Sequence, residues 1–179
     1  MENSKKLKVQ MTAPALVEFV FRSYYSRLSG LVSIFLGLLG MGLGIYCIIM
    51  GGTVKSIVIY FAVALICLVA NPVTLYMKAL NQLKTSPSYR DPVTYEIAPE
   101  GMKISLGNES DSIGWNNVYR LLYTKRMFAI YTNPYNAFVI PVDSMGDERD
   151  IILGRVVGYT SEYRPRLSGN LKVFTAGNE

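Results

Sequence analysis

LSGLVSIFLGLLGMGLGIYCIIMGG, from Leu28 to Gly52, and SIVIYFAVALICLVANPVTLYM, from Ser56 to Met77, decide the fold. Between Arg27 and Lys55 lie 27 residues without a charge, and between Lys55 and Lys78 lie 22 more. A helix needs about 20 apolar residues to cross a hydrocarbon core about 30 Å thick, and both runs reach that length. The rest of a 179-residue chain is too short to cover two helices that are apolar on every side. A purely soluble globular protein is therefore ruled out. A signal peptide fits poorly, because the first run starts late, is long, and is followed by no small-residue cleavage pattern. Composition agrees: 50% of the residues are apolar and 17% charged, against about 25% charged in an ordinary soluble domain.

Only Gly51-Gly52-Thr53-Val54-Lys55 separates the runs. So short a link predicts an antiparallel helical hairpin with both chain ends on one side. Lys5, Lys6, Lys8, Arg22 and Arg27 precede it, Lys78, Lys84 and Arg90 follow it, and the link holds Lys55 alone. By the positive-inside rule both termini are expected in the cytoplasm, giving a multi-pass protein of the cell membrane. Residues 1–90 carry a net charge of +7 and residues 91–179 a net of −2. The basic half flanks the membrane, where Arg22, Arg27, Lys78, Lys84 and Arg90 are placed to meet anionic lipid. No basic cluster interleaved with aromatics marks a nucleic-acid surface, so membrane lipids are the expected partner and nucleic acid is not.

Glycines repeat along the first run at Gly37, Gly40, Gly44 and Gly51. Small residues on one face let another helix approach closely. Two partners fit: the second span, which offers Ala62, Ala64 and Ala70, or a second copy of the chain in a homodimer. Cys47 and Cys67 fall at different depths and read as small apolar packing residues, not a disulfide. Asn71-Pro72 predicts a break or kink in the second span, since proline lacks the backbone donor. Neither span holds Asp, Glu, Lys or Arg, which argues against a pump, proton relay or voltage sensor.

The flanks divide by pattern. Residues 1–27 form an N-terminal cytosolic segment. Its TAPALVEFVFRSYYSR stretch, residues 12–27, puts Leu16, Phe19, Val20 and Tyr24 on one helical face, the mark of an amphipathic helix lying at the interface or packed on the cytosolic domain. The hairpin occupies 28–80 and a linker 81–92. From Val93 the period becomes two. Strands are expected at 94–98, 102–106, 111–115, 118–124, 127–131 and 137–142, with turn residues between them. Asp147, Glu148 and Asp150 then open a helix with Ile152, Val156 and Tyr159 on one face. Gly154 and Gly158 weaken that helix unless it lies close against the sheet. The expected domain spans 93–160, an antiparallel β-meander of about six strands closed by a C-terminal helix, and 161–179 is a mobile tail. The fold class is α+β, built on a transmembrane hairpin.

The order of these elements carries a resemblance. A pre-membrane helix and two-span hairpin lead to Tyr-Glu-Ile at 95–97 and a Glu-Gly turn at 100–101. Ile-Gly-Trp-Asn-Asn-Val follows at 113–118, Phe-Ala-Ile-Tyr at 128–131 and Phe-Val-Ile-Pro at 138–141, before a helix that starts with acids. This resembles the YcxB-like family of small bacterial membrane proteins over roughly residues 12–160. The resemblance implies a cytosolic domain similar to bacterial pleckstrin-homology-like modules, and it implies no enzymatic activity.

Chemistry is sparse. With no histidine, the commonest general base and metal ligand are missing. No phosphate-binding loop, nucleophile elbow or metal-ligand spacing stands out, so no catalytic residue, metal or cofactor is assigned. Trp115, the single tryptophan, reads as a core or sheet-edge anchor in preference to a stacking platform. The candidate site is a rim of Tyr119, Arg120, Tyr123, Lys125, Arg126, Tyr131 and Tyr135, facing headgroups or a peptide. The leading functional expectation is a non-enzymatic membrane protein whose cytosolic domain binds protein or lipid, in a regulatory, scaffolding or envelope-protective role that includes peptide immunity. The second is an accessory subunit of a membrane transporter or membrane enzyme complex, with another membrane protein as partner.

Overall fold

A computed structural model describes residues 4–169 and 171. The chain forms two compact units. One joins the residues up to Glu18 with those from Gln82 onward, and the other is Phe19–Asn81.

The second unit is the hairpin. Helix α2 covers Leu28–Ile49. Helix α3 covers Val54–Leu65, runs through a π turn at Ile66–Ala70, and continues as α4 over Asn71–Thr85. The turn between the arms is closed by backbone chemistry. Gly51 takes φ +66°, the Gly51 N–H donates to the Ile48 carbonyl, and the Gly52 N–H donates to the Cys47 carbonyl at 2.7 Å. This paired closure satisfies two carbonyls at the end of α2. Thr53 then caps α3 by accepting from the Ser56 N–H. Gly51, expected on the packing face, is instead the left-handed residue of this turn, with open space around it.

The other glycines fit the second arm of the same hairpin. A Cβ on Gly37 would lie 2.6 Å from the Leu68 side chain, one on Gly40 2.9 Å from the Tyr60 carbonyl, and one on Gly44 2.8 Å from the Phe61 ring. Outward from this seam the arms are apolar and bare. In their most apolar windows only 17% and 6% of residues are buried. A core helix of a soluble protein would be mostly covered, so these are helices long and apolar enough to cross a membrane.

Pro72 does not break the second arm. Its missing N–H and its ring cannot be accommodated by a regular α-helical turn. The helix instead widens just upstream, where the Asn71 N–H reaches the Ile66 carbonyl five residues back. The helix then runs on to Thr85, for 32 residues from Val54. Most of the expected linker is also helical, with α5 at Pro87–Arg90.

Among the described residues the first unit holds eight strands in two sheets of four. The expected strands are present as β2 Val93–Ala98, β3 Gly101–Leu106, β4 Glu109–Gly114, β5 Arg120–Tyr123, β6 Met127–Tyr131 and β7 Ala137–Pro141. Two more complete the sheets: β1 Lys5–Val9, inside the segment expected to hold only a helix, and β8 Arg166–Gly169, inside the expected mobile tail. Sheet A has the order β1-β2-β3-β4 and is antiparallel throughout. Sheet B has the order β7-β6-β5-β8, with β8 parallel to β5. The tail expectation is thus corrected as far as Gly169. Residues 170 and 172–179 lie outside the described residues.

Leu7 and Val9 of β1 are buried while Lys6 and Lys8 alternate with them, and Leu7 pairs with Tyr95. This alternation lets a mainly basic segment contribute an apolar face. Helix α1, Ala13–Tyr25, follows with Ala15 and Leu16 buried. One core joins the inner face of sheet A with Leu121, Tyr123, Phe128, Ile130 and Ile140 of sheet B and with α6, Arg149–Thr160. Leu122, Ala129 and Val139, on the other face of sheet B, are buried as well. Gly154 and Gly158 contradict the close-packing expectation: a Cβ at either would meet nothing.

Candidate functional site

The expected rim divides into three places. Tyr119, Arg120 and Tyr131 gather at one end of the β5–β6 hairpin. Arg120 pairs in register with Tyr131, and the Tyr119 N–H donates to the Tyr131 carbonyl at 2.7 Å. The Arg120 guanidinium lies 4.1 Å from the centroid of the Tyr131 ring, a cation–π contact. Tyr135 is at this end too, in the β6–β7 turn. The Asn133 side-chain oxygen accepts from the Tyr135 and Asn136 N–H groups there, each at 2.8 Å, a local substitute for a backbone turn bond.

Lys125 and Arg126 are at the opposite end, in the β5–β6 turn. Thr124 holds that turn, its hydroxyl accepting from the Met127 N–H at 3.1 Å. At about 3.3 Å per residue, Arg120 and Lys125 are roughly 16 Å apart. Tyr123 belongs to neither end, since its ring is in the core. The residue that sequence reading missed is Arg166. On β8 it pairs in register with Arg120, and its guanidinium lies 5.8 Å from the centre of the Tyr119 ring.

Trp115 is an anchor. It is buried, its indole N–H donates to the Ala98 carbonyl at 2.9 Å, and its ring lies beside Tyr159. An open groove of about 400 Å³ runs over the outer face of sheet A near this point, lined by Glu96, Ala98, Gly101, Lys103, Ser112 and Gly114. Lys6, Glu96 and Lys103 are register neighbours across it, so its charges alternate and select no ligand of one sign. Among the described residues no three Cys, Asp or Glu side chains converge as a metal-holding set.

The basic residues near the hairpin differ from one another. Arg90 makes two contacts to Asp91, at 3.0 and 3.2 Å. That hydrogen bonding lowers the Asp91 carboxyl below its usual range and raises Arg90 in turn. Arg90 thus carries a carboxylate neighbour on the same exposed surface. Arg22, Arg27, Lys78 and Lys84 are exposed. Within the hairpin unit, the Asn71 amide donates to the Tyr24 hydroxyl at 2.8 Å and to the Ser33 hydroxyl at 2.9 Å. This polar cluster ties the end of α1 to both arms.

Residues 97–153 match the family model described as YcxB-like protein. Over these residues the chain is similar to that family. The YcxB-like segment runs from Ile97 in β2 through β7 and into the start of α6, so the hairpin, β1 and β8 lie outside it. The match bears out the family resemblance over a shorter stretch than the order of elements implied. No curated protein and no solved structure matches the chain.

Proposed function

We propose that the chain is a non-enzymatic, membrane-anchored docking module. Its two apolar helices span the cell membrane and hold the sheet domain at the cytoplasmic face. There the domain binds a protein or lipid partner in a regulatory, scaffolding or envelope-protective role, with immunity to membrane-active peptides as one form.

The observation that carries this reading is the ladder between β1 and β2. The two strands stand on opposite sides of the hairpin in sequence, yet pair from Lys5↔Ile97 to Val9↔Val93. Two spans return the chain to the side it left, which is what this pairing requires. The excess of cations on the flanks favours the cytoplasm as that side. Two sheets closed by a helix around one core support the comparison with pleckstrin-homology-like modules, as does the YcxB-like match.

Copurification from native membranes in a mild detergent tests the reading. The expected result is a regulatory or lipid partner in less than fixed proportion. A transporter or membrane enzyme recovered in fixed proportion would make the chain an accessory subunit instead.

A further inference from the structure

Arg120 and Arg166 are paired positions on adjacent parallel strands. Neighbouring strands lie about 4.8 Å apart, so two permanently charged side chains start from adjacent backbone positions on one face of the sheet. Like charges placed directly opposite one another destabilise a sheet. Among the described residues neither arginine has a carboxylate partner. Each lies near an aromatic ring, Arg120 over Tyr131 and Arg166 over Tyr119. The rings steady the guanidiniums but leave their in-plane N–H groups to be satisfied elsewhere. Arg120 Nε is buried and has no hydrogen-bond acceptor, a state that buried donors rarely hold.

An oxyanion is the ligand class that suits such donors. A guanidinium presents a planar fork of N–H donors that matches phosphate geometry, and two forks supply two positive charges to one ligand. Arg166 and Tyr119 are exposed and Arg120 is half-buried, so the pair opens to solvent on the Arg166 side. The shared chemistry best suited to the pair is a dianionic phosphate monoester. We propose that Arg120 and Arg166 bind such a group, carried on a lipid headgroup or free in solution. The site deepens the docking reading and rests on it for the lipid source alone.

The test uses the full chain in neutral detergent, with thermal unfolding followed by Trp115 fluorescence. Inorganic phosphate is compared with chloride at equal ionic strength. In a second arm, nanodiscs of phosphatidylcholine are compared with discs that also contain phosphatidic acid. At least one phosphate source should raise the midpoint by several degrees. A rise with phosphatidic acid alone places the ligand on lipid, and a rise with inorganic phosphate alone places it in solution. Arg166→Gln and Arg120→Gln should each abolish the rise. Arg166→Gln, at an exposed position, should also keep or raise the unliganded midpoint, because it relieves the repulsion. No rise from either source, or a rise that survives Arg166→Gln, overturns the site. If that happens while the protein still captures its partner, the docking reading stands without the anion site.

Discussion

Tyr119 and Tyr123 are four residues apart, yet they are 39% and 9% exposed. One borders the arginine pair and the other fills the core. Sequence alternation alone could not separate them, because an even spacing assigns both to one face, whereas Tyr119 lies just outside β5 at its open end. Tyr95 is a second buried phenol, and desolvation pushes its pKa up, with a further contribution from Tyr89. An unfolded phenol titrates near 10. Below that pH both states keep the proton and the stabilisation is intact. As pH rises past it, the unfolded chain gives up the proton while the folded chain holds it, so stability falls until the folded pKa is reached. Unfolding midpoints followed by Trp115 fluorescence should therefore drop more steeply above pH 10 in the natural chain than in Tyr95→Phe, by up to about 1.4 kcal/mol per pH unit. Parallel curves would show that this phenol is not held neutral.

At the scale of elements, the hairpin and the strands β2 to β7 were legible because their signals are local: a charge gap, a period of two, a turn residue in the right place. Strand β1 was not, since Lys-Lys-Leu-Lys-Val shows its apolar alternation only over three residues and forms a strand only against β2. Strand β8 depends on a parallel partner more than 40 residues earlier, which no local pattern announces, and Arg166 was lost with it. Helix α6 shows the opposite error, in which a local pattern was given too much meaning. Gly154 and Gly158 are exposed and have free space where a Cβ would go. Each should lower helix stability by about 1 kcal/mol relative to alanine. Gly154→Ala and Gly158→Ala should thus each raise the thermal midpoint, and the double variant should raise it further. A lowered midpoint would mean that another surface approaches α6 closely at these positions.

Across the whole molecule, the proposed function depends on one topological fact. Strands from both flanks of an apolar hairpin belong to one sheet, so on the proposed reading insertion of the hairpin and folding of the domain are coupled. The helical pair cannot be threaded with an odd number of crossings without pulling β1 from β2. Nothing local in the first ten residues announces this, whereas the distribution of lysine and arginine does indicate a side. The most direct test is site-specific labelling in intact cells. Cys47 and Cys67 are first replaced by alanine. Lys55→Cys in the first turn of α3, next to the link between the helices, or Glu109→Cys on the exposed strand β4, is then probed with a membrane-impermeant maleimide. The account predicts labelling at position 55 in intact cells and at position 109 only after the membrane is opened. Labelling at position 109 from outside intact cells would contradict it.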